Sequence, residues 1–327
     1  MMQVENFKPF VGEHCETTAT GSLLKSIGIE LSEPMLFGLG EGLGYIFWNM
    51  KMMDIPFIGG RIKPDILTEN LCRNLNLQRE TKETSSIPKA WQNVKDEIDN
   101  NIPVGLKLDS YYLEYFTNKI HFAGHYIAMY GYDDAYAYVV DTQQQGGLLK
   151  TTRENLKLAR NAKGPMSSRN LSYTIRRGDK DFDLNKAVRT AITNNAKDYL
   201  NPPIKNIGYK GILKTSTEIK KWFKRSQNVK QDFKTTAMLM EKAGTGGAIF
   251  RNFYRDFLKE SYDILQRENI YKAYKEFVDI ADRWVEVSGL FDRAGDTQDI
   301  TYINEASEIL VALSGKEKNA MEMIANF

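Results

Sequence analysis

Residues 121–147 read HFAGHYIAMYGYDDAYAYVVDTQQQGG, two aromatic and β-branched runs on either side of a short polar turn. This pattern predicts a β-hairpin. If His125 and Asp141 stand directly opposite one another, the turn centres on Asp133 and residues 132–134 form the loop. That register puts His125, Ile127 and Met129 on one face with Val139 and Asp141, and Tyr126, Ala128 and Tyr130 on the other with Tyr136, Tyr138 and Val140. Opposed Cβ atoms lie about 5 Å apart, so Asp141 can hold the His125 imidazole in one tautomer. The assignment is sensitive to parity: a loop longer or shorter by one residue would send the two side chains to opposite faces. His121 and His125 also have the HxxxH spacing of a helical metal pair. Gly124 and the Tyr-Ile-Ala-Met-Tyr run argue for strand, where residues four apart lie roughly 13 Å from each other. One metal ion cannot bridge that distance, so no metal is predicted and His121 is read as structural or facing substrate.

Upstream, residues 104–108 read as a buried strand, 90–100 and 64–75 as helices, and FIGGRI (57–62) as a strand-like turn. Residues 17–27 place Ala19, Leu23, Leu24 and Ile27 at helical spacing, so Cys15 falls near a helix N-terminus. There the helix dipole and free backbone N–H groups favour a thiolate, and the same N–H groups can stabilise an oxyanion. A small buried hydrophobe is the other reading of a lone cysteine; the hairpin tips the balance, because a histidine oriented by a carboxylate is the partner a nucleophilic thiol needs. His14 precedes the nucleophile and is a candidate oxyanion or substrate contact. Residues 32–44, SEPMLFGLGEGLG, open with a Ser cap, an early acid and Pro34 and end in a glycine-rich loop. The loop lacks the P-loop and GxGxxG patterns, yet Glu41 between two glycines is placed to reach a cleft. Cys72, beside Leu71 and Leu75, is read as core.

Downstream, helical periodicity occupies 184–194, 216–225, 231–242, 248–266, 270–289 and 300–325. The predicted organisation is α+β: an antiparallel-sheet domain over 1–180, then an all-α domain over 181–327. The Gly-Thr-Gly-Gly run at 244–247 makes a tight interhelical turn or lets the backbone approach a cleft. Thr245 and, on the next helix, Arg251 are candidate substrate contacts.

Of 327 residues, 44 are Lys or Arg and 42 are Asp or Glu, a formal charge of +2. That balance argues against a nucleic-acid partner. Residues 205–234 hold nine basic and two acidic side chains, a local concentration suited either to solvation or to steering an acidic partner. The two cysteines lack the CxxC spacing of metal or dithiol redox sites, and with so few, thiol chemistry is favoured over a disulfide framework. The N-terminus lacks a signal-peptide pattern and no stretch approaches the ~20 apolar residues of a membrane span, so a soluble, cytoplasmic protein is expected.

Taken together, the segments PFVGEHCETTATGSLLKSIGIELSEPMLFGLGEGLGYIFW, LDSYYLEYF, HFAGHYIAMYGYDD and YVVDTQQQG resemble the N-terminal domain of the butirosin biosynthesis protein H family, over most of residues 8–150. The helical part, notably MEKAGTGGAIFRNFYRDFLKES, resembles the domain that often follows it. The resemblance implies a papain-type cysteine fold related to the bacteriocin-processing peptidases. It further implies acyl transfer from a thioester, such as that of a carrier protein, to a small amine acceptor, without a cofactor. Cys15 would be the acylated nucleophile, His125 the general base and Asp141 its orienter. One departure is visible: papain-like enzymes commonly place a glutamine a few residues before the cysteine for the oxyanion hole, and here Gly12, Glu13 and His14 stand there. Hydrolysis by the same triad, as peptidase, amidase or thioesterase, and a non-catalytic ligand-binding role remain alternatives. A homo-oligomer is compatible with the sequence.

Overall fold

The computed structural model describes residues 1–50, 53, 55–117, 119–164, 167–242 and 246–326. The chain divides into two compact units, one of Met1–Leu36 with Pro64–Phe182, the other of Phe37–Lys63 with Asp183–Phe327. The architecture is α+β, an antiparallel sheet with helices followed by a helical region.

In the first unit a seven-stranded antiparallel sheet is built from β1 (Met2–Gln3), β4 (Leu77–Lys82), β5 (Val104–Leu108), β6 (His125–Tyr132), β7 (Tyr136–Val140), β8 (Leu148–Thr152) and β9 (Ser172–Arg177), in the order β4-β9-β5-β6-β7-β8, with β1 pairing against β6. Alternation on the central strands sends Val104, Leu106, Leu108, Ile127, Met129 and Val139 into one cluster. Val94 and Ile98 of α4 (Ile87–Asp99) and Leu156 and Ala159 of α5 (Arg153–Asn161) close over it. Each such aliphatic side chain, fully buried, contributes about 1.5–3 kcal/mol.

The helix α1 (Cys15–Ser26) is buried along Cys15–Leu24, so its polar residues cannot face water. They are satisfied internally instead. Thr20 Oγ1 lies 3.0 Å from the Thr68 hydroxyl on α3 (Ile66–Asn74) and 3.1 Å from the Tyr173 phenol of β9. The Thr68 hydroxyl donates to the Glu16 carboxylate at 3.0 Å, and Ser22 Oγ donates to the Phe10 carbonyl at 3.1 Å. This helix is positioned by hydrogen bonds as much as by packing.

The hairpin register differs from the expected one. Ala128 pairs with Val140 and Met129 with Val139, and beyond a bulge Gly131 pairs with Tyr138 and Tyr132 with Ala137. The register is thus offset by two residues at the His125 end, and the reversal falls at Asp134 and Ala135, where Asp133 N–H donates to the Tyr136 carbonyl at 2.9 Å. An even offset preserves parity, so His125 and Asp141 still share a face, but as diagonal neighbours rather than an opposed pair.

The second unit packs α6 (Leu184–Leu200), α7 (Gly208–Arg225), α8 (Val229–Lys242), α9 (Ala248–Leu265) and α11 (Ile300–Ile324) with the long α10 (Glu268–Thr297). Buried Phe277, Ile280, Ala281, Trp284, Val287, Ser288 and Phe291 recur along α10 at intervals of three and four, as an amphipathic helix requires. The hairpin of β2 (Leu43–Trp48) and β3 (Phe57–Arg61) belongs with these helices, whereas the sequence reading assigned it to the first domain. The reason is its partners: the Tyr45 hydroxyl meets Thr215 Oγ1 at 2.7 Å, and Arg251 Nη1 donates to the Gly60 carbonyl at 3.1 Å. Among the described residues no helix is long and apolar enough to cross a membrane.

Candidate active site

Cys15 is the first residue of α1, and His14, in extended conformation, caps it: the His14 carbonyl accepts from Thr18 N–H at 2.9 Å. Cys15 is 9% exposed. Its own N–H occupies a position where a helix offers no acceptor. The loop leading into it is tightly held. Gly12 N–H donates to Thr18 Oγ1 at 3.1 Å, and the Gly12 carbonyl accepts from Gln143 N–H at 2.8 Å. The Glu33 carboxylate accepts from Glu13 N–H at 2.8 Å, from His14 N–H at 2.9 Å and from the Thr17 hydroxyl at 2.7 Å. Burial pushes the Glu33 carboxyl up, against the pull of these three donors. A Cβ at Gly12 would come within 2.5 Å of that carboxylate, so the close approach requires glycine.

His125 opens β6 opposite Leu108 of β5. Its Nε2–H donates to Asp141 Oδ2 at 2.8 Å, which leaves Nδ1 for the Cys15 sulfur, to which the imidazole is also hydrogen-bonded. Asp141 is fully buried and its carboxylate is shared: Oδ2 accepts the Tyr115 hydroxyl at 2.9 Å and Oδ1 the Thr142 N–H at 2.7 Å. The Phe116 ring stands edge-on to the imidazole at 5.2 Å. Burial disfavours a charge on His125, but the negative charges of Asp141 and Cys15 outweigh it and push the imidazole up to about 10. Burial and the Asp141 charge hold the Tyr115 phenol well above its ordinary value, so it stays a donor. The arrangement is an imidazolium between a carboxylate and a sulfur, with a helix N-terminus beneath the sulfur. It is suited to nucleophilic attack on an acyl carbon.

The remaining predicted residues are dispersed. His14 is buried, with Nδ1 3.4 Å from the Thr17 hydroxyl, and the backbone donors of Glu13 and His14 are committed to Glu33 rather than to an oxyanion. His121 is well exposed, stacked on Tyr111 at 3.9 Å, and its Nδ1–H donates to Asp109 at 2.8 Å. It thereby fastens the loop from which Tyr115 and Phe116 reach the triad. Glu41 lies in the second unit and accepts from Asn194 Nδ2 at 3.0 Å. Arg251, also in the second unit, is wholly buried and bound to Glu317 through Nε and Nη2, each at 3.0 Å. It cannot serve as an open substrate contact. Thr245 lies outside the described residues. Cys72 is core, its thiol pushed up to about 12 by burial. Among the described residues no three His, Cys, Asp or Glu side chains converge as a metal ion would need.

Sequence reasoning missed Tyr115, Phe116 and the clamping role of Glu33. The only available signal for Glu33 was its place as the early acid in the Ser32-capped helix α2 (Glu33–Leu39), where Ser32 Oγ accepts from Met35 N–H at 3.1 Å.

Residues 14–142 match the family described as butirosin biosynthesis protein H, N-terminal, and residues 154–324 match the domain of unknown function DUF4872. No curated protein matches the chain. Among solved structures, the chain is similar to the peptidase domain of Streptococcus ComA, a bi-functional ABC transporter involved in a quorum-sensing pathway, with 12% identity and a TM-score of 0.34 over 52% of this chain and 98% of that one. It is also similar to a Bacillus anthracis protein described as a C39-like peptidase, with 17% identity and a TM-score of 0.36 over 54% of this chain and 98% of that one. By residues 154–324, more than half of its length, the chain belongs to the DUF4872 family, and ahead of them residues 14–142 are similar to the butirosin biosynthesis protein H N-terminal domain.

Proposed function

We propose that the protein is a cysteine-nucleophile acyltransferase that moves an acyl group from a thioester to an amine through an acyl–Cys15 intermediate. The observation that carries this reading is the chain of contacts Cys15–His125–Asp141 at the N-terminus of α1. The Cys15 thiolate attacks the thioester carbonyl, and the tetrahedral oxyanion is met by the Cys15 N–H and the helix terminus. Collapse expels the donor thiolate, which takes the proton from the imidazolium. An amine then attacks the carbonyl carbon of the acyl–Cys15 thioester, neutral His125 accepts its proton as the C–N bond forms, and the C–S bond breaks to release Cys15 as thiolate. Asp141 keeps Nε2 protonated throughout, so that Nδ1 does the proton transfer.

The match to the butirosin biosynthesis protein H N-terminal domain supports transfer over hydrolysis. The donor thiol is read as that of a pantetheine or a carrier protein. Intact-mass measurement after incubation with acyl-pantetheine thioesters tests this. Wild type is expected to gain one acyl group, Cys15→Ala none, and the acyl group is expected to leave rapidly on adding an amine and slowly in buffer alone. Rapid discharge in buffer would replace transfer with hydrolysis, and failure of Cys15 to acylate or alkylate would remove the enzyme reading.

A further inference from the structure

The helix α5 turns one face toward a cavity of about 680 Å³ that it shares with α4 and the β6–β7 reversal. Arg153, Leu156, Lys157 and Arg160 lie on that face at the 0, 3, 4 and 7 spacing of a single stripe, and Trp91 of α4 stands among the other walls. None of the triad residues lines this cavity. Its volume lies in the range of small-molecule sites.

Arg160 is the informative residue. It is 3% exposed, and its guanidinium reaches only neutral acceptors, Nη1 the Ala90 carbonyl and Nη2 the Asn170 carbonyl, each at 3.0 Å. Its Nε–H is buried without an acceptor. Among the described residues, neither Arg160 nor Arg153 has a carboxylate within ion-pair distance, while Lys157 is occupied by Glu154 at 2.6 Å. Burial brings the Arg160 guanidinium down to about 10, which still leaves it charged at neutral pH. A buried cation without a counter-charge is costly, and an anion entering the cavity offsets that cost. Part of the remaining lining is apolar, with Pro88 beside the buried Leu156 and the Trp91 indole 4.2 Å below the Arg153 guanidinium; Asp134 and Glu154 also line the cavity, Glu154 paired with Lys157.

We propose that the cavity between α4 and α5 binds a small amphipathic anion, its carboxylate or phosphate head held by Arg160 and Arg153 and its apolar body lying along Trp91 and Leu156. Planar guanidinium groups suit either head group. The site is independent of the chemistry at Cys15.

Isothermal titration of the full chain with octyl phosphate, octanoate, inorganic phosphate and octanol tests the proposal and separates phosphate from carboxylate as the head. At least one alkyl anion is expected to bind saturably, more tightly than inorganic phosphate, with no binding of octanol. Binding is expected to weaken at least about tenfold in Arg160→Gln and in Arg153→Ala, and to disappear in Ala135→Trp, which sets an indole among the lining residues. Should Arg160→Gln fail to fold, the other two variants carry the test. Binding of neither alkyl anion, equal binding of octanol, or binding indifferent to the variants would overturn it.

Discussion

Each of the two units buries a network of charged and aromatic side chains, and the two networks end differently. In the helical unit Glu317 accepts from Arg251 at both oxygens, from Trp284 Nε1 at 2.7 Å and from the Tyr199 hydroxyl. Arg251 in turn spends its last nitrogen on Gly60 and lies 4.8 Å from the Trp284 ring centroid. Every strong group there is answered within the network, as a structural tie requires. Around Asp141 the carboxylate is equally well supplied with donors, but the chain of contacts continues through His125 to a sulfur at a helix end, the nucleophile of the proposed reaction. A closed network holds a fold together; one that runs out to a reactive atom organises chemistry. Charge and burial are alike in the two, so the terminus of the network is what distinguishes function from architecture.

Substitutions that break each network should therefore fail differently. The largest effect is expected from Asp141→Asn: a loss of about 10⁴ in the rate of Cys15 acylation, since the wrong tautomer would face the sulfur, with far less loss of melting temperature. Unfolding of that variant would make Asp141 structural. The same substitution tests the His125 titration. The native imidazole is raised to about 10, so the stabilisation from its charge is fully present below its ordinary value near 6.5 and fades as pH rises through about 10. NMR titration of the ring should show that endpoint in wild type and a clearly lower one in Asp141→Asn.

In the other network Glu317→Ala is expected to destabilise by about 3–5 kcal/mol by stranding a buried guanidinium, read by urea unfolding. The double variant Arg251→Met with Glu317→Leu should recover most of that loss. Next in size, Glu33→Ala should cost about 1–3 kcal/mol for each backbone donor it orphans and slow iodoacetamide alkylation of Cys15; an unchanged rate would show that the loop holds its shape without the clamp. The smallest effect is expected for His121→Ala. Its contact with Asp109 is largely solvated, worth no more than about 1 kcal/mol, and alkylation of Cys15 should change less than a few-fold.

How far the sequence could be read follows from the range of the interactions. His125 and Asp141 are 16 residues apart, and strand alternation carried their shared face even though the register was two residues off. The bulge before Gly131 has no local signature beyond the glycine. The strand β4, LQRETK, pairs with β9 across the chain, Leu77 opposite Arg177, and its polar composition hides it until that partner is known. Of the β2–β3 hairpin only FIGGRI reads as strand-like, and only contacts such as Tyr45 with Thr215, 170 residues away, assign the pair to the helices. Tyr115 is likewise invisible as a triad support, because a single tyrosine in a loop carries no periodicity. The helices of the second unit were legible because their spacing is local and repeated.

The burial of α1 bears on when the nucleophile comes into being. A helix whose polar side chains are answered by Thr68 and by Tyr173, the latter 153 residues from Thr20, has no stable form in isolation. The loop before Cys15 is likewise fastened from elsewhere in the chain, by Glu33 and by Gln143. The thiol is therefore expected to leave the ribosome as an ordinary cysteine and to meet His125 only when the sheet closes around it. If Cys15 acts as proposed, chemical competence is expected late in folding, and thiol reactivity measured during refolding would report when the last strands have docked.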